Sequence, residues 1–201
     1  MNSAMLKRAT MYGLAAIALG AASLSAHATV YTATLSGAIE VPPNASPGTG
    51  TVTVDFNAAA HTMTIDITFS GLLAGTTAAH IHCCTAEPEM GTAPPATAVP
   101  SLPGFPLGVT AGTYSRTFDT LDAATWNPAF VTASGGTTAG AEAAFLAGLD
   151  EGRAYLNLHT EFAPGGEIRG FLQPVPEPAT FALLALGAPM VLVAARRRRA
   201  T

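Results

Sequence analysis

The segment Ala79-His80-Ile81-His82-Cys83-Cys84 gathers more metal-ligating chemistry than any other stretch of the chain. Imidazole and thiolate are the side chains that suit zinc and copper. In an extended strand alternate side chains share a face. His80, His82 and Cys84 therefore point one way, and Ile81 and Cys83 point the other way, toward a core. Tyr155-Leu156-Asn157-Leu158-His159-Thr160 alternates in the same manner, with Leu156 and Leu158 inward and Tyr155, Asn157 and His159 outward. Where the two strands are neighbours, His80, His82 and His159 converge on one outer face, with the Cys84 thiol close by. Such a site would take copper or zinc, and a thiolate would favour copper(I) or zinc. The plainer reading is that exposed strand histidines only hydrogen-bond backbone carbonyls.

Cys83 and Cys84 are the only cysteines. Across a trans peptide, neighbouring Cα atoms lie about 3.8 Å apart, below the roughly 4.4–6.8 Å usual for a disulfide. A ring disulfide, two thiols, an intermolecular bridge and Cys84 as a metal ligand all stay open. Other residues offer less chemistry. No serine, cysteine or paired-carboxylate arrangement suggests a hydrolase, and no glycine-rich loop suggests nucleotide binding. The balance leans away from an enzyme. His61 stands beside a turn with no assigned role. Glu167 and Arg169 share a strand face and are expected to form a local ion pair.

The elements that must position these residues read as β-structure. Thr51 to Phe56 and Thr62 to Phe69 alternate polar and apolar, the pattern of half-buried strands, and Asn57 to Ala60 is short enough to close a hairpin. Further strands are expected at Thr29–Ser36, Ala78–Cys84, Thr113–Asp119, Arg153–Thr160 and Glu167–Gln173. Six prolines between Glu87 and Gly112 exclude a central strand, so that segment reads as a long surface loop. Ala139 to Leu149 reads as a short helix with Ala143, Leu146 and Leu149 on its apolar side. Trp126-Asn127-Pro128 is expected to plug or cap the fold. The fold class is all-β: an antiparallel β-sandwich or Greek-key barrel with one short helix.

Both ends of the chain read as address labels. Lys7 and Arg8 precede an apolar stretch from Met11 to Ala22, and Ala26-His27-Ala28 has the small-x-small form of a signal-peptide cleavage site. Residues 1–28 thus read as a leader and 29–174 as the working domain. At the other end, Pro176-Glu177-Pro178 precedes an uncharged run from Ala179 to Ala195, stopped by Arg196 to Arg199. The length of that run is at the lower limit for a transmembrane helix, roughly 17–25 residues, and the arginine block belongs on the cytoplasmic side. Without the labels, three arginines face twelve carboxylates, a formal charge of −9 against −4 for the whole chain. A lysine-free acidic domain is a poor partner for nucleic acid.

Residues 175–201 closely resemble the PEP-CTERM sorting tag of Gram-negative bacteria. The resemblance implies passage through the inner membrane and processing near Pro176, Glu177 and Pro178 by an exosortase, with the protein then at the cell surface or outside the cell. SGLLAGTTAAHIH, GRAYLNLHT and PGGEIRGFL, as they stand here, resemble the CHRD domain, named from chordin, across most of Thr29 to Gln173. That resemblance implies an extracellular β-sandwich and, for bacterial members, no established activity. The first expectation is a non-enzymatic binding or structural module at the surface or in the matrix, with exopolysaccharide as a candidate associate; the alternative is a copper- or zinc-binding protein. The pattern departs after His82, where Cys83-Cys84 and the proline-rich loop replace a shorter turn. A weaker similarity links Gly71 to His82 and Gly152 to His159 with the copper-site strands of copper/zinc superoxide dismutases. It implies His80, His82 and His159 as copper ligands and dismutase-like redox chemistry. The bridging histidine, the zinc loop and the disulfide of that family have no counterpart.

Overall fold

The computed structural model describes residues 28–176. Eight strands form one curled antiparallel sheet: β1 (Thr29–Ser36), β2 (Thr49–Asn57), β3 (Thr62–Ser70), β4 (Thr76–His82), β5 (Gly112–Asp119), β6 (Tyr155–Thr160), β7 (Ile168–Phe171) and β8 (Gln173–Pro174). Their order across the sheet is β4-β6-β7-β1-β2-β3-β5, with β8 paired to the start of β1. The all-β expectation holds. Residues 1–27 of the leader, including Ala26, and the span Ala179–Ala195 with its arginine block lie outside the described residues, as do Glu177 and Pro178. Among the described residues, no helix is long and apolar enough to cross a membrane.

Alternation decides which way each strand faces. Val52, Val54 and Phe56 of β2 and Met63, Ile65, Ile67 and Phe69 of β3 are buried inside the curl, and each large side chain so removed from water stabilises the fold by roughly 1.5–3 kcal/mol. The opposite faces carry hydroxyls. Thr34, Thr51, Thr68 and Thr113 fall in one row across β1, β2, β3 and β5, all of them exposed.

Two helices close the open side of the curl. Helix α1 (Pro128–Ala133) starts with proline at its first turn and Asn127 as its cap, the side chain accepting from the Ala129 N–H. This is the arrangement that satisfies an otherwise orphaned donor. Helix α2 (Thr138–Asp150) is capped by Thr137. Its buried face is Ala141, Phe145, Gly148 and Leu149, so of the expected apolar side only Leu149 is buried; Ala143 is exposed and Leu146 half-buried. Phe145 packs against Phe56 and Trp126, with ring centroids 6.2 and 5.3 Å away. Trp126 does plug this side, its indole N–H donating to the Thr120 carbonyl.

The proline-rich segment between β4 and β5 is the main departure from expectation. It is irregular and largely exposed, as a proline-rich surface loop should be, but its middle is anchored: Ala96, Thr97, Ala98, Leu102 and Phe105 are buried. It runs along the free edge of β4 and takes over that edge's hydrogen bonds. The Ala96 and Leu102 N–H groups donate to the Ile81 and Ala79 carbonyls, while the Thr97 and Ser101 hydroxyls accept from the Ile81 and Ala79 N–H groups. A backbone without regular structure can be buried only where its polar groups find partners. The unpaired edge of β4 supplies them.

Candidate metal centre

Strands β4 and β6 are neighbours, and their register sets Ala78 opposite His159, His80 opposite Asn157 and His82 opposite Tyr155. The outward histidines therefore do converge. Ring centroids are 5.7 Å apart for His80 and His82, 5.3 Å for His80 and His159, and 5.6 Å for His82 and His159. One ring nitrogen from each histidine lies within 4.8 Å of the others. A triangle of that size has a point no more than about 2.8 Å from every corner, so each nitrogen would have to move inward by up to roughly 0.7 Å to reach the 2.0–2.1 Å of a zinc–nitrogen bond.

The face is outer by alternation, yet it is not open to water. Loop residues 91–100 fold across it, leaving His80 and His82 each 7% exposed and Tyr155 2%, while Asn157, 3% exposed, lies against Gly165 and Gly166. His159 is half-buried and forms the accessible side of the cluster.

Each imidazole is held by one backbone carbonyl. His80 Nε2 lies 2.8 Å from Pro100 O, His82 Nδ1 2.8 Å from Ala93 O, and His159 Nδ1 2.9 Å from Pro164 O. A carbonyl oxygen can only accept, so each of these nitrogens must carry the ring proton. The other nitrogen of each neutral ring then presents a lone pair. Those three atoms, His80 Nδ1, His82 Nε2 and His159 Nε2, are buried and have no hydrogen-bond partner. Buried polar atoms normally find partners. Three orphaned acceptors in one cluster could together hold a cation, and carbonyls fix their tautomers as they do for histidines that bind metals.

The electrostatics agree. Burial pushes the His80 imidazole down to about 4, helped by the nearby His159. Burial also lowers His82 to about 4, with smaller contributions from His159, His80 and Arg169, and it lowers His159. All three shifts disfavour the charged form, so at neutral pH His80 and His82 are uncharged with their lone pairs free, and His159 is pushed the same way.

Cys84 is not part of the cluster. It is bonded to Cys83 in a disulfide between adjacent residues, with Cα atoms 2.9 Å apart across a cis peptide. The trans spacing used for the sequence expectation does not apply to that geometry. The sulfurs face helix α2, where a Cβ on Gly148 would stand 2.4 Å from each of them. No thiol remains to ligate a metal.

The expected Glu167–Arg169 pair is also absent. Glu167 is fully buried and satisfied by the Ser46 and Thr160 hydroxyls and the Leu73 N–H. Arg169 instead approaches Glu40 at 3.7 Å and stacks on Tyr155, 4.9 Å from the ring centroid. Burial raises the Glu40 carboxyl to about 7 against the opposing pull of Arg169. His61 bonds Glu142 of α2 at 2.9 Å, tying the β2–β3 turn to that helix.

Residues 31–172 match the family model described as CHRD domain. The chain belongs to the CHRD domain family. Residues 174–199 match the PEP-CTERM protein-sorting motif, which marks an exported protein recognised by an exosortase in the membrane. Neither the curated proteins nor the solved structures give a match. Within this CHRD domain, the loop carbonyls of Ala93 and Pro100 complete the histidine cluster. Sequence patterning did not find them, because a backbone oxygen leaves no residue-type signature.

Proposed function

We propose that this exosortase-sorted CHRD domain is a non-enzymatic metal-binding module that holds one copper or zinc ion between His80, His82 and His159. The observation that carries the reading is the set of three orphaned, buried ring nitrogens in one cluster, each opposite a nitrogen fixed by a carbonyl. An all-imidazole donor set suits copper and zinc and disfavours calcium or magnesium, which take oxygen ligands. The ligating nitrogens would be Nδ1 of His80 and Nε2 of His82 and His159. Three protein ligands leave a coordination position free, on the half-buried His159 side.

The charge of the domain favours holding a cation over dismutase-like turnover. Three arginines against twelve carboxylates give −9. A field of that sign attracts metal cations and repels an anionic substrate such as superoxide. The test is metal content of the purified full-length chain after equilibration with zinc or copper(II). About one ion per chain is expected, and none in a His80→Ala/His82→Ala variant. Absence of stoichiometric uptake by the unaltered chain ends the reading.

A further inference from the structure

We propose that Tyr155 is the positioning residue of the cluster, acting on His82 through loop residues 91–93; the inference rests on the metal-binding reading above. Tyr155 stands directly opposite His82 in the β4–β6 register. The two rings stack with centroids 4.8 Å apart and planes 9° from parallel, which fixes the imidazole plane. The Tyr155 hydroxyl lies 3.2 Å from both polar atoms of the Ala93 backbone, accepting from its N–H and donating to its carbonyl. That carbonyl is the one that accepts from His82 Nδ1. A carbonyl has two lone pairs and can serve both donors. One tyrosine therefore holds the ring and also the oxygen that decides which nitrogen of the ring is free.

Arg169 adds a second fastening to the same loop. Its guanidinium stacks on the Tyr155 ring, and its Nη1 donates to Gly91 O at 3.0 Å, two residues before Ala93. His80 and His159 take their carbonyls from Pro100 and Pro164 and have no such clamp of their own. Removing the hydroxyl of Tyr155 should free Ala93 and loosen the carbonyl that fixes the His82 tautomer, while the ring stack and the strand pairing stay intact. Loss of an outer-shell partner of a metal ligand commonly weakens affinity about 10–100-fold.

The competing account is that Tyr155, 2% exposed, is only a packing residue. The full-length chain, Tyr155→Phe and Tyr155→Leu would be titrated with zinc and, separately, with copper(II), against a chromophoric chelator. Cobalt(II) visible spectra and urea unfolding of the metal-free chains would accompany the titrations. Tyr155→Phe keeps the stack and loses the hydroxyl, so a roughly 10–100-fold weaker affinity and altered cobalt bands are expected. Wild-type affinity and spectrum in Tyr155→Phe overturn the proposal, even if metal-free stability falls. If the unaltered chain binds neither ion, the metal reading itself fails and the role of Tyr155 falls with it. Should Tyr155→Leu not fold, Tyr155→Phe alone decides.

Discussion

The outward faces of β1-β2-β3-β5 and of β4-β6-β7 follow the same two-residue alternation but reach opposite chemical states. On the first, Thr34, Thr51, Thr68 and Thr113 stand open to solvent. Water satisfies them and nothing perturbs them. On the second, His80, His82, Tyr155 and Arg169 are buried against the loop. Their hydrogen bonds must come from the protein, and some never come. Strand geometry decides which side chains share a face, and the covering segment decides whether that face is reactive. A histidine in the threonine row would be an ordinary solvated imidazole.

The comparison breaks most visibly if the cover is loosened. Leu102 is 1% exposed, and its N–H pins the loop to the Ala79 carbonyl. Leu102→Ala should cost about 2–5 kcal/mol, the range for emptying a core leucine site. Urea unfolding would measure it, and the same variant should bind metal more weakly. Undiminished metal affinity would show that the loop does not shape the cluster.

Acidification is the next sharpest probe, because it acts on the covered face and leaves threonine untouched. In the folded chain His80 and His82 take up protons only near pH 4, whereas an unfolded histidine does so from about 6.5. Between those values the unfolded state binds more protons, so stability of the metal-free chain should fall as pH drops from about 6.5 to 4. Glu40 works the other way over about 4.5–7, since its folded pKa is raised. Three lowered histidines outweigh one raised carboxyl, and Glu40→Gln should steepen the fall. Unfolding midpoints measured across that range check both statements; a flat profile would mean the imidazoles are as wet as the threonines.

A smaller effect is expected where the disulfide meets α2. Gly148→Ala forces a methyl group against both sulfurs, and overpacking of this kind costs about 1–3 kcal/mol. Chemical denaturation of the oxidised chain gives the value. At the bottom of the scale, Thr51→Ala on the open face should change stability by no more than about 0.5 kcal/mol. It should also leave metal uptake unaltered in the same titration. A larger change there would mean the hydroxyl rows have a partner of their own.

How far the sequence could be read follows the same division. The outer strands were legible because alternation in Thr51–Phe56 and Thr62–Phe69 needs only a solvent and a core to explain it. Convergence of His80, His82 and His159 was legible too, given one assumption about which strands pair. The state of the site was not. The anchoring of the loop was missed because proline was taken only as a poor strand former. Proline also brings a carbonyl without a competing N–H, and here Pro94, Pro95, Pro100, Pro103 and Pro106 all accept hydrogen bonds from other parts of the fold. A segment rich in acceptors suits the free edge of a sheet. Cys84 was misplaced because strand alternation was carried past the end of β4 at His82.

The short pairing of β8 with β1 gives the domain a heading. Tyr31 pairs with Pro174, and the Val175 N–H donates to Val30, so the tail departs where β1 begins. His80 belongs to the row that runs through Asn157 and Arg169 to Ser36, where β1 ends. A tail that leaves at Val175 therefore starts from the end of β1 opposite the row that carries His80.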